Sequence, residues 1–361
     1  MKRSITRFIA VICLAMSAGC ATRLTVDDGR ALDSQLLSDM RAYGAAARAL
    51  RPAIVRSAEL GDPDCSNQYE LPFEAMTAYG INDDNTRVGW LRTLGVNENL
   101  TVIAADPSAG VRPGDIVAGI DGHASGNKQK MAEELIEARD RGEPFALQLA
   151  SGRQVRVSPV RVCRGHVRVA APPEPATQRY HWQETVHPLE VFGQALTAEE
   201  AQWIVLWTQG LSEQAGARMK AYAFMAGSVK WIGVLALGIG TSHAASAARG
   251  ATAAGVSSAG PVAAVQLAGQ AASLMAQSAA NRASLSGVSS VAAGVFDRAD
   301  EWAVENMRKL GMDPGAGLRL HEKLVAQGAA ANAFLFDPQR LAQMRALVSR
   351  PGPEAQAHTA P

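Results

Sequence analysis

Residues 100–122 read LTVIAADPSAGVRPGDIVAGIDG. An apolar run from Leu100 gives way to a short polar stretch, and a second apolar run starts at Ile116. Between them stands Gly110-Val111-Arg112-Pro113-Gly114-Asp115. Pro113-Gly114 forces a turn, because proline fixes one backbone angle and glycine takes conformations that other residues resist. Asp115 can hydrogen-bond neighbouring backbone amides, and Ile116 opens a strand that goes inward. The local reading is strand, single helical turn, tight turn, strand.

Working outward, Phe73 to Val162 mixes short β-rich runs with turn signals. Lys130 to Arg139 is expected to be a helix, and Phe145–Leu149 with Val155–Val160 a hairpin around Ser151-Gly152. This stretch resembles the central part of bacterial PDZ domains, whose signature falls on Gly110, Pro113, Gly114 and Asp115. The resemblance implies binding of peptide or protein C-termini. Such domains add an extended peptide to a sheet edge, and backbone amides capture its terminal carboxylate. The carboxylate loop is expected upstream, near Arg87 to Leu91. A PDZ fold serving only as spacer or regulatory lid is the alternative.

The N-terminus carries Lys2, Arg3 and Arg7, then an apolar stretch from Phe8 to Ala18 that is too short to span a bilayer. Small residues lead to Cys20, a secretory pattern whose end resembles the bacterial lipobox. The resemblance implies cleavage before Cys20, lipidation of its thiol and a membrane anchor. Ala21 in place of aspartate favours the periplasmic side of the outer membrane. An ordinary signal peptide with an incidental cysteine is the competing reading. Cys13 leaves with that segment, so Cys65 and Cys163 form the one possible intramolecular pair of the mature chain. An oxidising periplasm permits a disulfide there, against the alternative of two free thiols. With a net charge of +1 over 361 residues, no broad field favours nucleic acid.

Further elements follow. Apolar residues recur at helical spacing from Leu32 to Leu60, which predicts one or two amphipathic helices broken near Pro52. Pro172, Pro173 and Pro175 mark a linker. Ala198 to Ala226 reads as helical, with Thr197 as N-cap and Glu200 completing a capping box. Residues 227–295 are biased to Ala, Gly and Ser, which suits close helix packing or a flexible insert. Arg298–Leu310 and Gly317–Ala331 read as helices either side of Gly311-Met312-Asp313-Pro314.

ADEWAVENMRKLGMDP, residues 299–314, resembles the region after the third zinc ligand of the CAAX prenyl protease and HtpX-like metallopeptidases. Ala299-Asp300, Met307 and Gly311 to Pro314 fall at that family's spacing, and Leu196 to Val205 fits its lead-in to H-E-x-x-H. That chemistry needs two histidines four apart on one helical face, a glutamate to activate water, and a third ligand on a later helix. Counting from the lead-in puts Thr208 and Ser212 at the histidine positions and Gln209 at the base. Phe296 stands at the third ligand, and Arg298 replaces the second motif glutamate. Between Ala201 and Ser242 there is no His, Cys or Asp, and one Glu, Glu213. The degenerate motif therefore implies no cofactor, with zinc only if unexpected ligands serve. HWQETVH, residues 181–187, reads as a loop or edge strand at the surface, and His321-Glu322 as a helix surface pair. Trp203 and Trp207, four apart, are expected to pack in the core.

The expected class is α+β, a PDZ-like β-rich module followed by a mainly helical zincin-like metallopeptidase domain. The divisions are a signal peptide over 1–19, a tether with N-terminal helices over 20–72, and the PDZ-like domain over 73–163. A linker over 164–180, the degenerate metallopeptidase-like domain over 181–335, and a helix end with disordered tail over 336–361 complete the chain. Three functions compete: a binding or regulatory lipoprotein, an active zinc metalloendopeptidase with atypical ligands, and a structural envelope assembly protein.

Overall fold

The computed structural model describes residues 24–173, 179–180, 184–187, 189–193, 195–213, 294–326 and 338–350. The expected signal peptide, Cys20, His181, Pro175, residues 214–293 and the tail after residue 350 lie outside them. The described residues form an α+β structure.

The chain enters through helix α1, Ser34–Ser57, capped by the Asp33 carboxylate on the Gln35 amide at 2.9 Å. Pro52 does not break this helix, contrary to expectation. Proline removes one hydrogen bond, but Leu50, Ala53 and Ile54 beside it are buried, and that packing carries the helix on to Ser57. Strands β1 (Asn67–Glu70) and β2 (Phe73–Met76) follow, then helix α2 (Asp84–Leu94). Residues 87–91 are thus helix rather than the expected loop. Asp83 accepts from the Thr86 amide at the N-terminal end, and Gly95 closes the other end at φ +69°. Both ends are capped, so the segment closes on itself as a helix.

Strand β3 (Leu100–Ala105), a turn of 3₁₀ helix at Pro107–Ala109 and strand β4 (Ile116–Ile120) fall where the sequence places them. Gly114 has φ +92°, and its amide donates to the Val102 carbonyl at 2.8 Å. A residue with a Cβ is strained there, so the Pro113-Gly114 turn needs its glycine. Asp115 accepts from the Arg112 amide at 2.8 Å. Helix α3 (Lys128–Arg141) and strands β5 (Phe145–Leu149) and β6 (Gln154–Val157) complete an antiparallel five-stranded sheet in the order β2-β3-β4-β5-β6. Phe73, Val102, Val117, Met131, Leu135 and Leu147 fill its core beneath α3.

Strand β7 (Val160–Cys163) pairs antiparallel with β1, and a disulfide joins Cys65 to Cys163 beside that ribbon. Strand β8 (His166–Val169) lies inside the expected linker. It pairs in parallel with β10 (Glu184–His187), which pairs antiparallel with β9 (Arg179–Tyr180). The three prolines obscured this arrangement, since the partner strand lies well beyond them in sequence. HWQETVH is correspondingly no surface loop. Its described part is the central strand of a three-stranded sheet, with Thr185, Val186 and His187 buried.

A short helix α4 (Leu189–Phe192) leads to α5 over 198–213, and α6 runs over 294–309. Helices α7 (Ala316–Ala326) and α8 (Pro338–Ser349) follow. The capping box on α5 forms: the Glu200 amide donates to Thr197 Oγ1 at 3.2 Å, and the Thr197 amide to Glu200 Oε2 at 2.9 Å. The buried faces of α5 to α8 share one core with α1, Trp90 and Ile103. Helix α1 is the element that joins the helical half to the five-stranded module. Among the described residues no helix is long and apolar enough to cross a membrane.

Candidate functional site

Helix α5 is buried almost throughout, because its neighbours surround it. Gly165 makes one close approach possible: a Cβ there would stand 2.9 Å from the Thr208 carbonyl oxygen. Gly317 makes another, since a Cβ would fall 2.3 Å from the Trp203 indole. The α5 residues expected at the degenerate motif are all inside. Thr208 donates its hydroxyl to the Ile204 carbonyl at 2.9 Å, one turn back on its own helix. Gln209 donates its amide to Ser57 Oγ at 3.0 Å, which ties α5 to the end of α1. Ser212 is buried on the same helix. Glu213 accepts from the Ser66 amide at 3.0 Å, and burial raises its carboxyl above the usual range.

Phe296 on α6 reaches α5, but the side chain it meets is Trp207, one position before Thr208. The two rings stack at 5.6 Å with 18° between their planes. Trp207 in turn stacks on Trp203 at 5.9 Å. The guanidinium of Arg340, from α8, lies 5.6 Å from the Trp207 ring and 5.2 Å from the Phe296 ring. Both distances suit attraction between a cation and a π face. Its charge is balanced by Asp300 on α6, which accepts from Arg340 Nε at 2.8 Å and Nη2 at 2.7 Å. Both partners are buried.

Two histidines border this cluster. His187 at the end of β10 sits edge-on to Phe192 and 5.9 Å from Trp207. It is 3% exposed, and neither ring nitrogen has a hydrogen-bond partner among the described residues. Burial pushes its pKa down to about 4. His321 on α7 packs edge-on to Trp203 at 5.1 Å and hydrogen-bonds the Gly317 carbonyl at 2.6 Å. Burial, reinforced by the Arg340 charge, pushes its pKa down to about 4 as well. The expected surface pair at His321-Glu322 therefore divides. The imidazole is core, and Glu322 pairs with Arg345 at 2.8 Å in solvent.

Compared with known proteins, the chain matches no family model, no curated protein and no solved structure. Among the described residues, no three His, Cys, Asp or Glu side chains are grouped so that they could hold a metal ion. Nothing in the sequence singles out Arg340, and His187, expected at the surface, is buried instead. Arg340 is one arginine among many, about 130 residues after Trp207. The i, i+4 spacing of Trp203 and Trp207 did mark the face on which both partners converge.

The signature residues of the five-stranded module have local roles. Gly110 holds φ +70°, and its carbonyl accepts from Arg153 Nη1 at 2.7 Å. Asp115 pairs with the same arginine at 2.8 Å. Arg153 thereby clamps the β3–β4 turn to the β5–β6 hairpin. Strands β2 and β6 are the sheet's edges.

Proposed function

We propose that this protein is a lipid-anchored envelope protein that binds peptide or protein C-termini through a PDZ-like module and carries a metallopeptidase-like helical half without metal chemistry. Its role is protein binding or the regulation of proteolysis, at the periplasmic side of the outer membrane.

One observation carries the second part: the stack of Trp207 on Phe296 beneath the Arg340 guanidinium. A zinc ion needs imidazole, thiolate or carboxylate donors. An indole N–H only donates, a phenyl ring offers no lone pair, and a guanidinium repels a second cation. These residues do not fit zinc. They pack against one another instead, with Asp300 committed to Arg340. The neutral Gln209 amide is no base and is already engaged with Ser57. For the first part, β2 and β6 each have a strand neighbour on one side, which is what strand addition requires.

The test uses the purified full chain. Elemental analysis should find only trace zinc, and casein should survive with and without chelator. Stoichiometric zinc with chelator-sensitive proteolysis overturns the second part. Fluorescent C-terminal peptides should bind roughly tenfold tighter with a free carboxylate than as amides, since charge-assisted hydrogen bonds contribute about 1.5–3 kcal/mol. Equal affinity for both overturns the first part.

A further inference from the structure

We infer that the face carrying Leu24 and Val26 rests on the lipid surface, held there by a bound strap instead of hanging from a free tether. The inference depends on the reading of Cys20 as the lipid-bearing residue. Ala21, Thr22 and Arg23 alone separate Cys20 from Leu24. Four residue steps, fully extended, span about 14 Å. One headgroup layer is roughly 5–8 Å deep. Whatever path those residues take, Leu24 cannot leave the neighbourhood of the headgroups.

From Leu24 onward the chain is fastened to the body. The Thr25 amide donates to Glu98 Oε1 at 2.9 Å, and the Thr25 hydroxyl reaches the same oxygen. Arg87 of α2 donates to Thr25 Oγ1 at 3.0 Å and forms a buried ion pair with Glu98. A little further on, Arg92 holds Asp27 Oδ2 at 2.8 Å and the Arg30 carbonyl at 2.8 Å. The strap therefore lies along α2. Thr25 turns into the body, and its two apolar neighbours are left outward. Leu24 is 71% exposed and Val26 68%, the two most exposed large apolar side chains among the described residues. Apolar groups that stand out beside a short lipid anchor find their burial in the headgroup and acyl boundary.

The experiment places a nitroxide label on Val26→Cys in the full, lipidated chain, reconstituted in vesicles of phosphatidylethanolamine and phosphatidylglycerol. Mass spectrometry of the N-terminal peptide first reports the acyl groups on Cys20. The ratio of oxygen to nickel-chelate collision rates should then rise severalfold over that of the same label in an unlipidated Cys20→Ala chain lacking residues 1–19. Inserting a long Gly/Ser segment after Ala21 should return the ratio most of the way to the aqueous value. An acylated, vesicle-bound protein whose label keeps the aqueous ratio overturns the inference, and so does a ratio unchanged by the insertion. Spin–spin broadening between labels would assign the face to a second copy of the chain, which also overturns it. Absence of the acyl mass removes the anchor reading itself, a separate result.

Discussion

Arg340 is the residue on which the helical half turns. Its guanidinium lies against two aromatic faces and makes a two-point contact with Asp300, all in the interior. Desolvating two charges costs several kcal/mol, and the pair recovers that only while both members are present. Arg340→Ala strands the Asp300 carboxylate in the core. Urea unfolding should show a loss of about 3–5 kcal/mol. Arg340→Met with Asp300→Leu, which removes both charges at similar volume, should regain most of it. A single variant within about 1 kcal/mol of the parent would mean the pair is solvated rather than buried. The sequence made half of this legible. Helical spacing put Trp203 and Trp207 on one inward face, and the unsuitability of Phe296 as a ligand was plain from its chemistry. What spacing could not supply was the partner. The count from Leu196 selected Thr208, whose hydroxyl is spent on its own helix, and passed over Trp207 beside it.

At the scale of elements, most local signals are legible in the sequence and distant pairings are not. The Pro113-Gly114 turn, the strand starting at Ile116 and the Thr197–Glu200 box each depend on neighbours in sequence, and each formed. Strand β8 depends on β10, across a proline-rich stretch, and nothing in His166 to Val169 alone announces it. Helix α2 stands where a loop is expected, although Asp83 and Gly95 supply both caps. The pairing of β1 with β7 is likewise distant; a possible Cys65–Cys163 pair is legible in the sequence, the strands beside it are not. Cys65 and Cys163 lie 98 residues apart, and their Cα atoms are 5.5 Å from each other. Cross-linking so long a loop restricts the unfolded chain strongly, by about 4–5 kcal/mol in the entropic account, although measured values run lower. Cys65→Ser with Cys163→Ser should therefore lower the unfolding free energy by about 2–5 kcal/mol, read from urea titration under non-reducing conditions. A change under about 1 kcal/mol would mean that the unfolded chain already keeps the two ends of this loop close without the bond, or that the folded state is strained by it.

For the molecule as a whole, the core built by α1 and α5 to α8 is tuned to neutral imidazoles. His187 and His321 are both interior, and burial holds both near pKa 4 against 6.5 for the free side chain. Below pH 6.5 the unfolded chain takes up protons that the folded chain refuses. Stability contributed by the neutral rings is therefore complete above that value and falls as pH drops toward 4. Each ring can remove up to about 1.4 kcal/mol per pH unit in that interval. The lowered carboxylates act below that interval. Glu70 is raised by its burial, but the contacts of His166 and Arg51 outweigh this and hold it below the usual range. Glu98 behaves alike, its burial outweighed by Thr25 and Arg87. Both begin to contribute only below about 4.5, where free carboxylates titrate. Over the interval from 6.5 to 4.5 the fall thus comes from the imidazoles, while Glu213 and Asp297, whose carboxyls burial raises, act toward its lower end with the opposite sign. Urea midpoints measured across it should fall steadily in the parent chain. His321→Gln, which keeps a donor for the Gly317 carbonyl, should flatten the slope by about half. His187→Phe, which adds no polar group beside Phe192 and Trp207, should flatten it similarly, and the double variant should show no fall down to pH 4.5. A parent chain whose midpoint is constant over that interval would require both rings to reach solvent or a carboxylate partner, and the aromatic cluster around Trp207 would then have to open to admit one.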